Sequence, residues 1–289
     1  MKPQGGNVMK TGLVLEGGAM RGMYSAGVMD NMFNKNISFD GIIGVSAGAV
    51  FGVNYISRQP GRVIRYNKKY NMDKNYMGIG NLIKSGNIVN TEYAYYKVPK
   101  ELDVFDNDTF MKSGISFYAV ITNIENGKPE YVKITDPISQ METLRASASM
   151  PFVSKPVELD GGLYLDGAVT DSIPYEKFLE MGYDRLVVIL TKDIDYVKKP
   201  IPPLLCDLYY KKKYPLFNRK VKERHIMYNE TIKRLKLAEG AGEIFVIRPS
   251  KHIDIKKLES DPQKLQSLYD LGIKDCNEVF DELLEYLKA

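Results

Sequence analysis

The stretch Gly41-Ile-Ile-Gly-Val-Ser-Ala-Gly-Ala-Val50 decides how this chain begins to fold. Its first half is an apolar run typical of a buried strand, and its second half is a run of small residues typical of a tightly packed helix. Between them, Gly44-Val45-Ser46-Ala47-Gly48 fits the G-x-S-x-G pattern of a nucleophile on a sharp strand-to-helix turn. The pattern also arises by chance, so its place between strand and helix is what makes Ser46 a candidate nucleophile and Gly44 and Gly48 its flanking glycines.

Upstream of this stretch, Leu13-Val14-Leu15 predicts a short strand that ends in a glycine-rich loop. From Tyr24 to Phe33 the apolar residues recur at helical spacing. The first sixty residues therefore predict strand, loop, helix, strand, turn and helix, the start of a parallel βαβ arrangement.

The loop itself is Gly17-Gly18-Ala19-Met20-Arg21-Gly22. Adjacent glycines after a strand leave backbone N–H groups free to point into a site, as an oxyanion hole requires. The alternatives are a structural turn or a nucleotide-binding loop. The loop lacks both the G-x-G-x-x-G spacing and the Gly-Lys-Ser/Thr of a P-loop, which disfavours nucleotides.

A candidate base stands in Asp166-Gly167-Ala168, after the short apolar run 163–165. A serine hydroxyl loses a proton as it attacks, so a base must lie within hydrogen-bond reach. Asp-Gly alone usually marks a turn, but here it follows a strand of a predicted hairpin around Asp160-Gly161-Gly162.

The rest of the chain predicts an α/β layered fold around a largely parallel sheet, because strand and helix patterns alternate. Residues 58–108 are polar and weakly periodic, and they predict an excursion over one end of the sheet. The remaining predicted strands cover 115–121, 130–134, 185–190 and 243–247, and the predicted helices cover 141–150, 175–181 and the C-terminal region.

The composition is that of an ordinary globular protein, with 289 residues, 44% hydrophobic and 26% charged. Two cysteines make no disulfide framework, two histidines make no metal-ligand cluster, and the first ten residues lack the apolar core of a signal peptide. We therefore expect a cytoplasmic protein with a single domain over 1–289, made of a core over about 11–190 and a basic helical extension over about 196–289.

Charge is uneven along the chain. The net charge is +4, yet residues 198–236 hold twelve Lys or Arg and three Asp or Glu. Leucines and aromatic residues are interleaved with these cations, which suits either peripheral contact with an anionic membrane surface, here the inner face, or a solvated helical face whose aromatics pack on the core.

Together the three motifs resemble the patatin-like phospholipases, in a branch of bacterial type. That family has a G-G-x-x-R-G loop, a G-x-S-x-G serine and a D-G-[GA] aspartate in this order. The segment Arg145-Ala-Ser-Ala-Ser-Met-Pro151 also resembles the family's helix-plus-proline segment before the aspartate. Glu16 departs from the aspartate or glycine that many members have there.

This resemblance implies a three-layer α/β/α fold with a mainly parallel central sheet, and hydrolysis of lipid acyl esters. It implies Ser46 as nucleophile, Asp166 as base, no metal and no organic cofactor. The oxyanion loop it implies comprises Gly17, Gly18, Ala19, Arg21 and Gly22. Phospholipids, lysophospholipids and related lipids are the expected substrates.

Other interpretations remain at this stage. Both His225 and His252 follow Asp166, as a Ser–Asp–His triad of an α/β-hydrolase would require. A catalytically silent lipid-binding protein of the same fold is a second alternative. A nucleic-acid partner is not expected, because no nucleic-acid-binding motif accompanies the basic segment.

Overall fold

A twisted sheet with eight strands organises the protein. The computed structural model describes residues 9–252 and 254–288. The strands are β1 Thr11–Leu15, β2 Gly41–Val45, β3 Ser116–Asn123, β4 Lys128–Ile134, β5 Val157–Leu159, β6 Gly162–Asp166, β7 Arg185–Ile189 and β8 Ile244–Ile247. Strands β3, β2, β1, β7 and β8 are parallel neighbours in that order, which confirms the parallel start and the mainly parallel sheet.

Two strands, β4 and β6, pair antiparallel with β3, and β5 pairs antiparallel with β6. Strand β4 pairs with β3 along one edge, from Phe117 to Asn123. On the other edge, β2 pairs with β3 as far as Val120, and β6 takes over from Ile121 to Asn123. Because β2 and β6 run in opposite directions along this one edge, their carboxyl ends meet.

Helices cover both faces of the sheet. They are α1 Gly22–Asn34, α2 Ala47–Ile56, α3 Arg62–Tyr70, α4 Ile79–Ser85, α5 Asn107–Lys112, α6 Met141–Ser147, α7 Tyr175–Glu180, α8 Pro203–Cys206, α9 Pro215–Gly240, α10 Pro262–Glu278 and α11 Phe280–Lys288. Successive strand residues point to opposite faces. Leu13 and Leu15 pack with residues of α1, α2 and α10, whereas Val14 packs with residues of α7 and α9. This alternation confirms the predicted three-layer α/β/α class.

Helix α10 lies directly against α1. A Cβ added to Gly27 would stand 2.0 Å from the carbonyl oxygen of Tyr269, and one added to Gly272 would stand 2.2 Å from that of Tyr24. Both positions must therefore be glycine for the two backbones to approach so closely. The Tyr24 hydroxyl also donates to Asp275 across this contact, at 3.1 Å.

One sequence prediction needs correction, and one region is more regular than its pattern indicated. Residues 58–108, predicted as an excursion over one end of the sheet, hold α3, α4, the start of α5 and a π-helical segment, Glu92–Leu102, that contains Pro99. Short helices and a wide helical turn do not keep a 3.6-residue period, which explains the weak pattern. The helix predicted over 141–150 ends at Ser147, before the proline that was expected to end it.

Candidate active site

Ser46 lies on the sharp turn between β2 and α2. Its backbone has φ 56° and ψ −122°, a strained conformation for a residue with a side chain. A Cβ on Gly44 would come within 2.5 Å of the Gly48 carbonyl oxygen, and a Cβ on Gly48 within 2.5 Å of the Leu15 carbonyl oxygen. The two flanking glycines are thus required by backbone contacts at the turn.

Asp166 reaches Ser46 because β2 and β6 end opposite each other on β3. The Ser46 hydroxyl donates to Asp166 Oδ2 at 2.8 Å, and both residues are buried, with 5% and 3% of their surface exposed. Two residues 120 positions apart in sequence are therefore in direct hydrogen-bond contact. This is the geometry that a nucleophile and its base need.

The carboxyl group of Asp166 is held between opposing effects. Burial raises its pKa above the ordinary value of 3.8. The positive charge of Arg224, the N–H of Ala168 and the Ser46 hydroxyl each lower this pKa. Ala168 N–H donates to Asp166 Oδ1 at 2.8 Å, which leaves Oδ2 for the serine. A carboxylate with a raised pKa is a better proton acceptor than an ordinary aspartate.

The segment after α6 holds both members of this pair in place. The N–H of Ser46 donates to the Ser147 hydroxyl at 2.9 Å, and the N–H of Asp166 donates to the Ser149 carbonyl oxygen at 2.9 Å. The sequence indicated this segment only through the family resemblance and predicted no role for its serines. Their alternation with alanine, Ser147-Ala148-Ser149, was the available signal.

The glycine-rich loop passes directly over the serine. A Cβ on Gly17 would lie 2.9 Å from the Ser46 Cβ, so the two backbones are adjacent. The N–H groups of Gly17, Gly18 and Ala19 find no acceptor among residues 9–252 and 254–288. Ala19, with φ 50°, opens a short 3₁₀ turn that contains Arg21 and leads into α1 at Gly22. Three free donors beside a serine can stabilise a developing oxyanion.

Glu16 lies beneath this loop and links it to two other segments, a role that the sequence did not predict. The fully buried carboxylate accepts from Thr191 N–H at 2.6 Å, from Lys192 Nζ at 2.6 Å and from the Tyr228 hydroxyl at 2.9 Å. Burial alone would raise the pKa of Glu16, but the charge of Lys192 and these hydrogen bonds lower it below its usual range. The loop is thereby fixed to the end of β7 and to α9.

An apolar cavity opens from Ser46 on the α2 side of the sheet. Eleven of its twenty-four lining residues belong to 58–108, including Tyr66, Met77 and Val98. Ala19 and Ser46 lie at its wall as well. The excursion predicted from sequence therefore shapes the space next to the serine, and that space suits a hydrocarbon chain.

Both histidines lie apart from the Ser–Asp pair. His252 Nδ1 is 3.1 Å from Asp193 Oδ2, and the imidazole is exposed. His225 Nδ1 is 2.9 Å from the carbonyl oxygen of Lys222. Within the described ranges, neither imidazole contacts Ser46 or Asp166, so the geometry gives the triad alternative no support.

The protein is a three-layer α/β/α protein with a buried Ser–Asp pair under a glycine-rich loop. It belongs to the patatin-like phospholipase family, whose model matches residues 13–179. Residues 214–288 match a second family, a domain of unknown function designated DUF6363. The second match spans α9, β8, α10 and α11, which lie beyond the first.

Several curated proteins are similar to this chain. The uncharacterized protein YjjU of Escherichia coli is 28% identical over 275 residues, which cover 93% of this chain and 76% of that protein. The probable lipid hydrolase 463L of Invertebrate iridescent virus 6 is 27% identical, over 57% of this chain and 61% of that protein. Lysophospholipase nte1 of Aspergillus fumigatus is 27% identical, over 64% of this chain but only 12% of its own length.

Proposed function

We propose that this protein is a serine lipid acyl hydrolase that cleaves carboxylic esters of phospholipids, lysophospholipids or related lipids. One observation carries the proposal: the 2.8 Å hydrogen bond from Ser46 Oγ to Asp166 Oδ2, at the wall of an apolar cavity. Membership of the patatin-like phospholipase family supports it, as do relatives named lipid hydrolase and lysophospholipase.

In the first half-reaction, Ser46 Oγ attacks the ester carbonyl carbon while its proton passes to Asp166 Oδ2. The carbonyl oxygen becomes an oxyanion held by the N–H groups of Gly17, Gly18 and Ala19. The tetrahedral intermediate then breaks its ester C–O bond. Asp166 returns the proton to the departing alcohol oxygen, and the acyl group stays on Ser46.

In the second half-reaction, a water molecule attacks the acyl carbon and gives one proton to Asp166. Collapse of this second intermediate breaks the bond to Ser46 Oγ, which regains the proton from Asp166. A free fatty acid leaves, and the enzyme returns to its starting state. The apolar cavity binds the acyl chain of the substrate, since each CH₂ group that it buries contributes roughly 0.8 kcal/mol to binding.

Labelling by a fluorophosphonate probe tests the proposal directly, because such probes form a bond only with an activated serine. We expect the wild-type protein to be labelled and Ser46→Ala not to be. His225→Ala and His252→Ala are matched controls that should keep labelling within about twofold, since neither imidazole touches the pair. Loss of labelling in folded His252→Ala would favour a triad, and an unlabelled wild-type protein would favour a silent lipid-binding protein.

We also propose that residues 198–236 contact an anionic lipid surface. Leu204, Leu208, Tyr209 and Leu216 are exposed around Lys211-Lys212-Lys213, and the leucines 204 and 208 are each at least 80% exposed. Tyr210 and Phe217 of the same segment are instead buried in a small core. Apolar side chains projecting among lysines suit a headgroup interface. Over the described residues, no helix is long and apolar enough to cross a membrane.

The vesicle test separates this surface from a merely solvated one. Replacing Lys211, Lys212 and Lys213 by glutamine should weaken binding to anionic vesicles by about tenfold or more at low salt, because each lysine near such a surface contributes about 1 kcal/mol. Sedimentation with vesicles measures binding, and hydrolysis of a short soluble ester should stay unchanged. Vesicle binding that changes neither with salt concentration nor with the triple substitution would contradict the proposal.

A further inference from the structure

Five positive side chains lie on segments that meet around the glycine-rich loop, where Lys192 is paired with Glu16 at 2.6 Å and the Lys257 carbonyl oxygen accepts from Met20 N–H at 3.3 Å. They are Arg21, Lys192, Lys198, Arg224 and Lys257, which we call the cationic cluster. They come from four places: the glycine-rich loop, the segment after β7, helix α9 and the segment before α10. The proposed mechanism uses none of these charges as an acid or base.

Arg224 is the centre of the cluster. Its charge lowers the pKa of Lys192, of Lys198 and of Lys257, and it also lowers that of Asp166. Within the part of the chain that the structure describes, the buried Nε of Arg224 has no hydrogen-bond partner. A buried guanidinium N–H without an acceptor is costly unless a ligand supplies one.

Tyr228, one helical turn after Arg224, orders two of the lysines. Lys192 Nζ lies 5.3 Å from the centre of the Tyr228 ring and Lys198 Nζ lies 4.5 Å from it. The Tyr228 hydroxyl is in turn bonded to Glu16. Tyr228, which belongs to the DUF6363 segment, and Glu16 therefore hold the two lysines in place beside the site.

Over the described residues, the carboxylates in contact with this region are fewer than the cations of the cluster. They are Glu16, which is paired with Lys192 at 2.6 Å, and Asp166, which is hydrogen-bonded to Ser46. Against five cations this leaves an excess of three positive charges when all groups are ionised. Burial, then the charges of Arg224 and Lys192, lower the pKa of Lys198 to about 6. Partial desolvation and the charge of Arg224 also lower the pKa of Lys257, which remains exposed on one side.

Like charges that depress one another's protonation are stabilised by an anion placed among them. Guanidinium and ammonium groups together suit a phosphate, which accepts several charge-assisted hydrogen bonds. The apolar cavity on the opposite layer of the sheet takes the hydrocarbon end of a substrate. A phospholipid bound across Ser46 would present its phosphate to the cluster.

We propose that Arg224, Lys198 and Lys257 form a subsite that binds the phosphate of a phospholipid head group while Ser46 faces the ester. The subsite rests on the proposed lipid hydrolase function and assigns a role to part of the segment of unknown function. It makes these three side chains substrate-binding residues. Arg224 also lowers the pKa of Asp166, so a test must separate head-group binding from an effect on the base.

Two matched substrates make this separation. They are a short-chain 1-acyl lysophosphatidylglycerol and the 1-monoacylglycerol with the same acyl chain, both used as monomers so that surface binding plays no part. Lys198→Gln and Arg224→Gln should lower kcat/KM for the phosphorylated substrate by about 10- to 100-fold, mainly through KM, because a charged hydrogen bond is lost. Their effect on the monoacylglycerol should be several-fold smaller. Lys233→Gln, an exposed α9 lysine paired with Glu230, is the control and should change neither.

An equal loss on both substrates would overturn the subsite and assign Arg224 to the base alone. Inorganic phosphate is the third probe: it should compete weakly with the phosphorylated substrate, and Arg224→Gln should remove that competition. Competition by phosphate in a wild-type enzyme that does not prefer the phosphorylated lipid would assign the cluster to free phosphate and overturn the head-group assignment.

A binding measurement keeps the subsite testable apart from turnover. In a Ser46→Ala background, calorimetry with lysophosphatidylglycerol should show at least about tenfold weaker binding when Lys198→Gln is added. Undiminished binding would overturn the subsite. A wild-type protein that hydrolyses neither substrate would contradict the proposed function, whereas the calorimetric result would stand on its own.

Discussion

Ser46→Ala and Asp166→Asn should each lower kcat for ester hydrolysis by about 10⁴-fold or more, and the double variant should be hardly worse than either. The reason is that the 2.8 Å contact makes the two side chains one unit: a hydroxyl without its base, or a base without its hydroxyl, performs no step. Hydrolysis of p-nitrophenyl esters measures the loss.

Asp166→Asn is the more demanding of the two tests, since asparagine keeps the size of the side chain and can still accept from Ala168 N–H. Circular dichroism and the unfolding midpoint should show that both variants stay folded. If either folded variant retained more than a few per cent of wild-type turnover, the Ser–Asp assignment would be wrong. Because additive losses indicate independent groups, a double variant far slower than both singles would also contradict it.

Gly18→Val should lower kcat by about 10- to 1000-fold, with a smaller change in KM. A Cβ at this position would lie 2.6 Å from Thr191 Oγ1, which itself donates to Glu16 at 2.9 Å. The loop must therefore shift, and its N–H groups with it. Complete loss of one oxyanion donor costs about 2.7–4 kcal/mol in the transition state, and a donor that is only displaced costs less.

Gly240→Val supplies the matched control, because a Cβ there meets nothing within 4 Å. It should leave kcat within about twofold of wild type. The unfolding midpoint of Gly18→Val, followed beside its kinetics, separates a displaced loop from a destabilised protein. A normal kcat in Gly18→Val would mean that the loop is a structural turn and not an oxyanion hole.

Much of the fold could be predicted because the sequence patterns of the first strands and helices are local. The run 41–50 shows its strand, turn and helix within ten residues, and the three-layer class followed from alternation. The approach of Ser46 to Asp166 followed only from the family resemblance. Its physical cause, two strands meeting on one edge of β3, is a matter of register between distant segments.

The residues that hold the site in place could not be predicted from the sequence, for the same reason. Glu16 looked like a minor departure, yet it binds Thr191 and Tyr228, which lie 175 and 212 positions away. Arg224 looked like one charge in a basic run. No local pattern indicates which of twelve cations turns inward. The catalytic roles of Ser46 and Asp166 stay predictions. The single-domain organisation also stays a prediction, and the pairing of β8 with β7 and the packing of α10 on α1 support it.

The hydrogen bonds of Glu16 to distant residues have a consequence for the nascent chain. Ribosomes add about 5–20 residues per second, so roughly 10 to 40 s pass between the synthesis of Glu16 and that of Tyr228, 212 positions later. For most of that interval Gly18 and Ser46 already exist, but the carboxylate beneath the loop lacks its tyrosine and, until position 192 is made, its lysine. An unfinished chain should therefore be unable to attack the cell's own lipids, and a chain cut before α9 should be a poor esterase even with both Ser46 and Asp166 present.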